Sequence, residues 1–263
     1  MNALPAPPGD GWRPVTGGES GAAVFRDADG SRFAKCVPYP LRAALEAERD
    51  RVGWLSANGV PGPEVLDWWA DGSGAYLVTS AVPGVPADQL SAARLDRAWA
   101  SIADAVRRLH DLPADRCPFT RALAGMFDTA RDVVARDAVN PDFLPEEQQA
   151  TPPGELLARL EPQIDRRLEQ EVDDTVVCHG DLCLPNIMVD PDASRVTGFI
   201  DLGRLGRADR HADIALLFAN ARETWTGNDQ ARAAERAFAA RYGIDPDPER
   251  LHFYLSLDPL TWG

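Results

Sequence analysis

The chain changes texture near Pro86, and that change limits the folds open to it. From Trp12 to about Val82 it reads as short β-like runs broken by turns, with one helical stretch. "AAVFRDADGSRFAKCV" sets two such runs around a turn rich in Asp and Gly, a hairpin signal. "LRAALEAERDRVGWLSANG" spaces its apolar residues at helical intervals and stops on Asn-Gly, and "GAYLVTSAV" returns to strand before "PGVPA" ends it. Beyond Pro86, "SAARLDRAWASIADAVRRLHDL" is an amphipathic helix with Ser91 as its cap. "ELLARLEPQIDRRLEQEV", "ADIALLFANARETW" and "ARAAERAFAARYG" are further helices, while Cys117 to Pro153 mixes helical pieces with Pro-rich breaks. Strands segregated from helices predict an α+β fold. It consists of a small antiparallel sheet with one helix over residues 1–82 and a larger, mainly α-helical region over 83–263.

A length of 263 residues with 44% hydrophobic content is enough for one large domain or two lobes, and it excludes a disordered or fibrous chain. The 41 acidic and 27 basic side chains give a formal charge of -14, which repels nucleic acid and favours a cationic small molecule. The N-terminus lacks the basic and apolar regions of a leader. No apolar run approaches the roughly 18 residues of a membrane span, so a cytoplasmic protein with no membrane partner is expected. Cys36, Cys117, Cys178 and Cys183 form no CxxC pair and read as buried, reduced thiols. Nothing in the sequence points to an obligate protein partner.

The residues that carry chemistry lie in "VVCHGDLCLPNIMVD", residues 176 to 190, and in "VTGFIDLGR" just after it. His179, Asp181 and Asn186 stand between two apolar runs, and Asp201 ends a third. A carboxylate ionised at neutral pH and held on a rigid loop suits a general base, which selects Asp181. Asn186 and Asp201 offer the hard oxygen atoms that Mg²⁺ prefers, a metal that leaves positions for water and substrate phosphates. Isolated Asp and Asn in loops ordinarily form turns through their own backbone. Their order, spacing and flanking strands point here to phosphoryl transfer.

These motifs resemble those of the aminoglycoside phosphotransferases, a branch of the protein-kinase-like fold. "HGDLCLPNI" is similar to the family's catalytic loop, and "IDLGR" stands where protein kinases carry Asp-Phe-Gly. The resemblance implies a two-lobed enzyme using ATP and Mg²⁺. Asp181 would accept the proton of the attacking hydroxyl, Asn186 and Asp201 would hold the metal, and His179 would brace the loop. In "RFAKCV", Lys35 would bind the α and β phosphates; Glu48 of "EAERDRVGWL" would pair with it, with Glu46 as the fallback on another helix face. "TGGESGAAVF" would cover the phosphates, with Ser20 and Gly21 touching them. In the hinge-like "LVTSAVPG", backbone groups of Ser80 and Val82 would bond the adenine edge, with Phe33 against its face.

"GRLGRADRHADIALLFANARETW" and the terminal "FYLSLDPLTWG" are similar to the streptomycin 3''-phosphotransferases in particular, and "VPGVPADQL" agrees. That likeness implies a cationic acceptor with guanidinium groups, which carboxylates bind in a bidentate manner, and a role in antibiotic resistance. Asp258, Glu223 and Glu147 with its neighbour Glu146 are the acceptor candidates, Arg204 would orient the catalytic Asp residues, and Trp225 packs. A kanamycin-type 3'-kinase, or a kinase of choline, homoserine or methylthioribose, shares the same motifs. A nucleotide-binding pseudokinase is opposed by the intact set of Lys35, Glu48, Asp181, Asn186 and Asp201.

Overall fold

The structure, a computed structural model, describes residues 6–15 and 21–263. In chain order the first elements are β1 (Arg13–Val15), β2 (Ala23–Arg26), β3 (Arg32–Pro38), α1 (Arg42–Ala57), β4 (Val65–Ala70), β5 (Gly74–Ser80) and β6 (Val85–Pro86). Next come α2 (Ala92–His110), α3 (Leu123–Ala135), α4 (Pro153–Leu160), α5 (Ile164–Asp174), β7 (Thr175–Cys178), β8 (Ile187–Asp190) and β9 (Arg195–Phe199). β10 (Gly206–Asp209), α6 (Arg210–Arg222), α7 (Asn228–Tyr242) and α8 (Pro248–Leu257) complete the order. The chain packs into two compact units, residues up to Gln89 with Pro185–Arg204, and Leu90–Leu184 with Leu205–Gly263. A single cut at residue 82 does not describe this division. Residues 83–89 and the β8–β9 hairpin join the first unit because β6 pairs with β8, Val85 opposite Val189.

The first unit is an antiparallel sheet in the order β1-β2-β3-β5-β4, with α1 packed on it. The β2–β3 hairpin forms as its Asp-Gly turn predicts. Asp27 accepts from the Arg32 backbone N–H at 3.1 Å and from Arg32 Nε at 2.7 Å, which closes the turn. Val37, Leu45, Ala75 and Leu77 make the apolar seam between β3, β5 and α1. α1 stops where Asn58 Nδ2 donates to the Trp54 carbonyl, and Gly59 then takes a left-handed backbone at φ 71°. A second sheet, β6-β8-β9, belongs to the same unit. Gly84 approaches it at φ 110°, where a side chain would run into the Val189 carbonyl.

The second unit is mainly helical, with the β7–β10 pair as its one sheet among the described residues. Phe127, Leu157, Phe253, Leu257 and Leu260 join α3, α4 and α8 in one core. Trp99, Phe218, Phe238 and Tyr242 link α2, α6 and α7 through ring contacts of 5.3–5.9 Å. The α+β prediction therefore holds, with three local corrections. Ser91 stands at the N-cap of α2 with extended backbone, but its hydroxyl makes no capping bond; its carbonyl instead accepts from Arg94 and Leu95 N–H at 2.9 Å each. "ELLARLEPQIDRRLEQEV" splits into α4 and α5 across a 3-10 turn at Glu161–Gln163, because Pro162 has no N–H for the α ladder. All four cysteines are free, but Cys183 is half-buried rather than buried. No described helix is long and apolar enough to cross a membrane.

Gly84→Ala should cost about 1–3 kcal/mol, since it adds both backbone strain and a clash with Val189. Thermal melts should show this as a fall of roughly 2–4 °C per kcal/mol. Gly72→Ala, with nothing within 4 Å of the added carbon, should melt like the parent.

Candidate active site

Strand alternation places Val24, Phe33, Lys35, Leu77 and Thr79 on one face of the first sheet, where they line a cavity of about 650 Å³. Glu48 and Val52 from α1, Met188 from β8 and Asp201 line it too. Lys35 Nζ donates to Glu48 Oε2 at 2.8 Å and Oε1 at 3.0 Å, and to Asp201 Oδ1 at 3.2 Å. Burial alone would lower the ammonium pKa, but the Glu48 and Asp201 carboxylates outweigh it and hold Lys35 protonated well above its ordinary range. Burial pushes the Glu48 carboxyl up, opposed by Lys35. Glu48 rather than Glu46 is thus the partner; Glu46 faces Arg49 at 3.5 Å. Lys35 is also the one lysine in the chain.

Asn186 and Asp201 meet at one end of the β8–β9 hairpin, because Ile187 pairs with Phe199 and Ile200 N–H donates to the Asn186 carbonyl at 3.0 Å. Asn186 is buried, whereas the Asp201 side chain is 48% exposed and therefore open to a ligand. Asp201 holds a left-handed backbone at φ 56°, a conformation a non-glycine residue keeps only when its surroundings impose it. Arg204 follows, half-buried, in the 3-10 turn Leu202–Arg204. At the hinge, the Ser80 N–H donates to the Glu64 carbonyl at 2.9 Å and the Ala81 N–H to the Ser31 carbonyl at 2.8 Å. The Ser80 amide is therefore committed to the protein. Phe33 lies on the cavity wall with the Arg26 guanidinium 5.7 Å from its ring centre. Gly21 is exposed at φ 66°; Ser20 lies outside the described residues.

In the second unit, Asp181 follows β7 on a loop opened by Gly180 at φ 84°. Its N–H donates to His179 Nδ1 at 3.3 Å, its carbonyl accepts from Cys183 N–H at 2.9 Å, and the Cys183 thiol lies 3.9 Å from Oδ1. The acceptor candidates sit on separate elements. Glu146 and Glu147 are exposed in the 3-10 turn Glu146–Gln148, and Glu223 is exposed at the end of α6. Asp258, at the end of α8, has a side chain only 10% exposed; Oδ1 accepts from Arg121 Nη2 at 2.8 Å and Oδ2 from Trp262 Nε1 at 3.0 Å. Trp225 is buried edge-on against Trp99 at 5.3 Å, as packing predicts.

Sequence reasoning missed Arg121 and Asp213. Asp213 lies buried behind the loop, where burial would raise its carboxyl, but the His110 hydrogen bond, the His110 and His179 rings and the Gly180 N–H bring it below the ordinary carboxylate value. A carboxylate between Ala212 and the apolar run Ile214–Phe218 was the available signal.

The sequence model of the phosphotransferase enzyme family matches residues 11–254. The chain belongs to this family. It is 66% identical to streptomycin 3''-kinase of Streptomyces griseus, over 97% of this chain and 94% of that protein. It is 41% identical to an aminoglycoside 3'-phosphotransferase of Streptomyces fradiae, over 94% of each. The structure of aminoglycoside phosphotransferase APH(3'')-Id from Streptomyces rimosus, in complex with ADP and streptomycin, superimposes with a TM-score of 0.91 at 66% identity, covering 96% of this chain and 93% of that one.

Removing the Glu48 charge should expose the tuning of Lys35. In Glu48→Gln the ammonium loses its larger support, its pKa falls, and the reactive free amine becomes more abundant at fixed pH. Acylation at Lys35, read by peptide mass spectrometry, should accelerate about tenfold for each unit of that fall. Unchanged labelling would show that Glu48 does not set the charge of Lys35.

Proposed function

We propose that this chain transfers the γ-phosphate of ATP to the 3''-hydroxyl of streptomycin and thereby confers resistance to it. What carries the reading is Lys35, held protonated on the wall of a cavity that also presents the exposed carboxylate of Asp201. The likeness to streptomycin 3''-kinase supports the acceptor and its position.

The polyphosphate of ATP needs a fixed positive charge, and Lys35 supplies one that Glu48 aims and keeps protonated. Phe33 and the backbone of Ser80 and Val82 receive the adenine, and Gly21 approaches the phosphates. Asn186 and Asp201 fit Mg²⁺, being hard oxygen donors at one end of one hairpin. An ion held there would supply positive charge against that of the phosphates. Asp181 accepts the proton of the attacking hydroxyl, and the His179 contact steadies the backbone that carries it. Arg204 orients the catalytic carboxylates. Positioning and electrostatics supply most of the rate, since the loose transition state asks little covalent help of the protein.

Glu147 and Glu223 receive the guanidinium groups of the acceptor on exposed carboxylates. Asp258, held by Arg121 and Trp262, is the third carboxylate for the acceptor. We place the enzyme in the cytoplasm, where ATP is made and where free thiols such as its four cysteines persist.

ADP release from Mg-ATP should be stimulated by streptomycin, with ³¹P NMR placing the phosphate on the 3''-hydroxyl. Stimulation by kanamycin alone would move the acceptor to the 3'-kinase type. Asp181→Asn should cut kcat about 10²–10⁴-fold while ATP still binds. Asp201→Asn should weaken nucleotide binding chiefly in the presence of magnesium, and calorimetry with and without the metal would separate the two.

A further inference from the structure

The loop that carries Asp181 is held from behind by a fully buried chain of polar groups. Asp213 on α6 accepts from the His179 N–H at 2.6 Å through Oδ2 and from the Gly180 N–H at 2.9 Å through Oδ1. Its Oδ2 also meets His110 Nε2 at 3.1 Å, and His110 Nδ1 lies 2.7 Å from the Tyr242 hydroxyl. His110 is the last residue of α2 and Tyr242 the last of α7, so three helices converge on the two peptide groups that precede Asp181. Tyr242 is itself fixed by a stacked contact with Phe238 at 5.6 Å.

His110, Cys178 and Asp213 come close enough together to suggest a metal cage, but their atoms are already in use. Both ring nitrogens and both carboxylate oxygens are hydrogen-bonded, and the Cys178 thiol donates toward the Asp209 and Ala208 carbonyls at 3.5 and 3.7 Å. The grouping is a closed hydrogen-bond network. An ionised carboxylate only accepts, so Nε2 is the donor in the His110–Asp213 contact, and Nδ1 is left to share a hydrogen bond with the Tyr242 hydroxyl. Each member thus orients the next, from Tyr242 to His110, from His110 to Asp213, and from Asp213 to the loop backbone.

We infer that His110 is a positioning residue for phosphoryl transfer, aligning the Asp181 carboxylate through Asp213 and the two backbone amides that Asp213 holds. The inference rests on the role of Asp181 as base. His110 touches neither nucleotide nor acceptor in this role. Without its hydrogen bond Asp213 has one proton donor fewer and can turn, and the loop turns with it. A misplacement on the order of 1 Å at the reacting group is enough to cost about 10²-fold in rate.

The test uses two amide replacements of one ring. In His110→Gln the side-chain nitrogen can stand where Nε2 stood and donate to Asp213; in His110→Asn it stands near Nδ1 and falls short. With the full-length enzyme, Mg-ATP and streptomycin, His110→Asn should lower kcat about 10- to 100-fold while KM for ATP stays within about twofold, and His110→Gln should recover most of that loss. Equal kcat in the two variants, or a parental kcat in His110→Asn, would overturn the inference. Should His110→Asn fail to fold, Tyr242→Phe decides. It keeps the ring and removes only the hydroxyl that orients His110, so a kcat about 3- to 10-fold lower at unchanged KM supports the relay, and a parental kcat overturns it. Asp181→Asn is assayed in parallel. If it retains turnover, the assignment of the base is what fails, whatever the His110 variants do.

Discussion

The charge on Lys35 is the interaction on which the candidate site depends. An ammonium with most of its surface out of water is costly unless carboxylates surround it, and Glu48, 13 residues on, and Asp201, 166 residues on, do so. Three elements must therefore be correctly placed at once: β3 to present the lysine, α1 to bring Glu48 beneath it, and the β8–β9 hairpin to deliver Asp201. The apolar seam of Val37, Leu45, Ala75 and Leu77 sets the first two. Backbone pairing of β6 with β8, and the Phe199 N–H donated to the Pro61 carbonyl at 3.0 Å, set the third.

The second unit solves a different problem, that of holding a short polar loop still. Backbone amides of the loop point inward to Asp213 rather than outward to water, so the side chain of Asp181 is placed by hydrogen bonds that lie behind it. Buried polar networks of this sort are tolerated only when each member is satisfied, and here Tyr242, His110, Asp213 and the two amides satisfy one another. The first unit thus fixes charge and the second fixes a carboxylate, each by a buried set of partners drawn from several elements.

The pairing of Lys35 with Glu48 was legible in advance through the resemblance to the family, and the structure realises it because α1 has little freedom in how it packs on its own sheet. Asn186 and Asp201 were legible from residue type, order and flanking strands, and a short hairpin brings its ends together. The committed Ser80 amide was not, because its partner Glu64 lies in the segment that precedes β4. Asp258 read as an acceptor carboxylate through the likeness of the chain end to the family, and its Arg121 partner, 137 residues away, was not legible. Asp213 read as one more helix residue.

The sequence by itself determined the order of strands and helices, the turns that close them, and the residue types at the positions where phosphate, metal and proton would be handled. These follow from backbone preference and side-chain chemistry, which are properties of neighbouring residues. Only the tertiary structure decided that residues 185–204 pack with the first unit, that Ser91 makes no side-chain cap, and that His110 and Tyr242 stand behind the loop of Asp181. Those outcomes depend on hydrogen bonds and packing between segments distant in the chain, and no local pattern carries the identity of a distant partner.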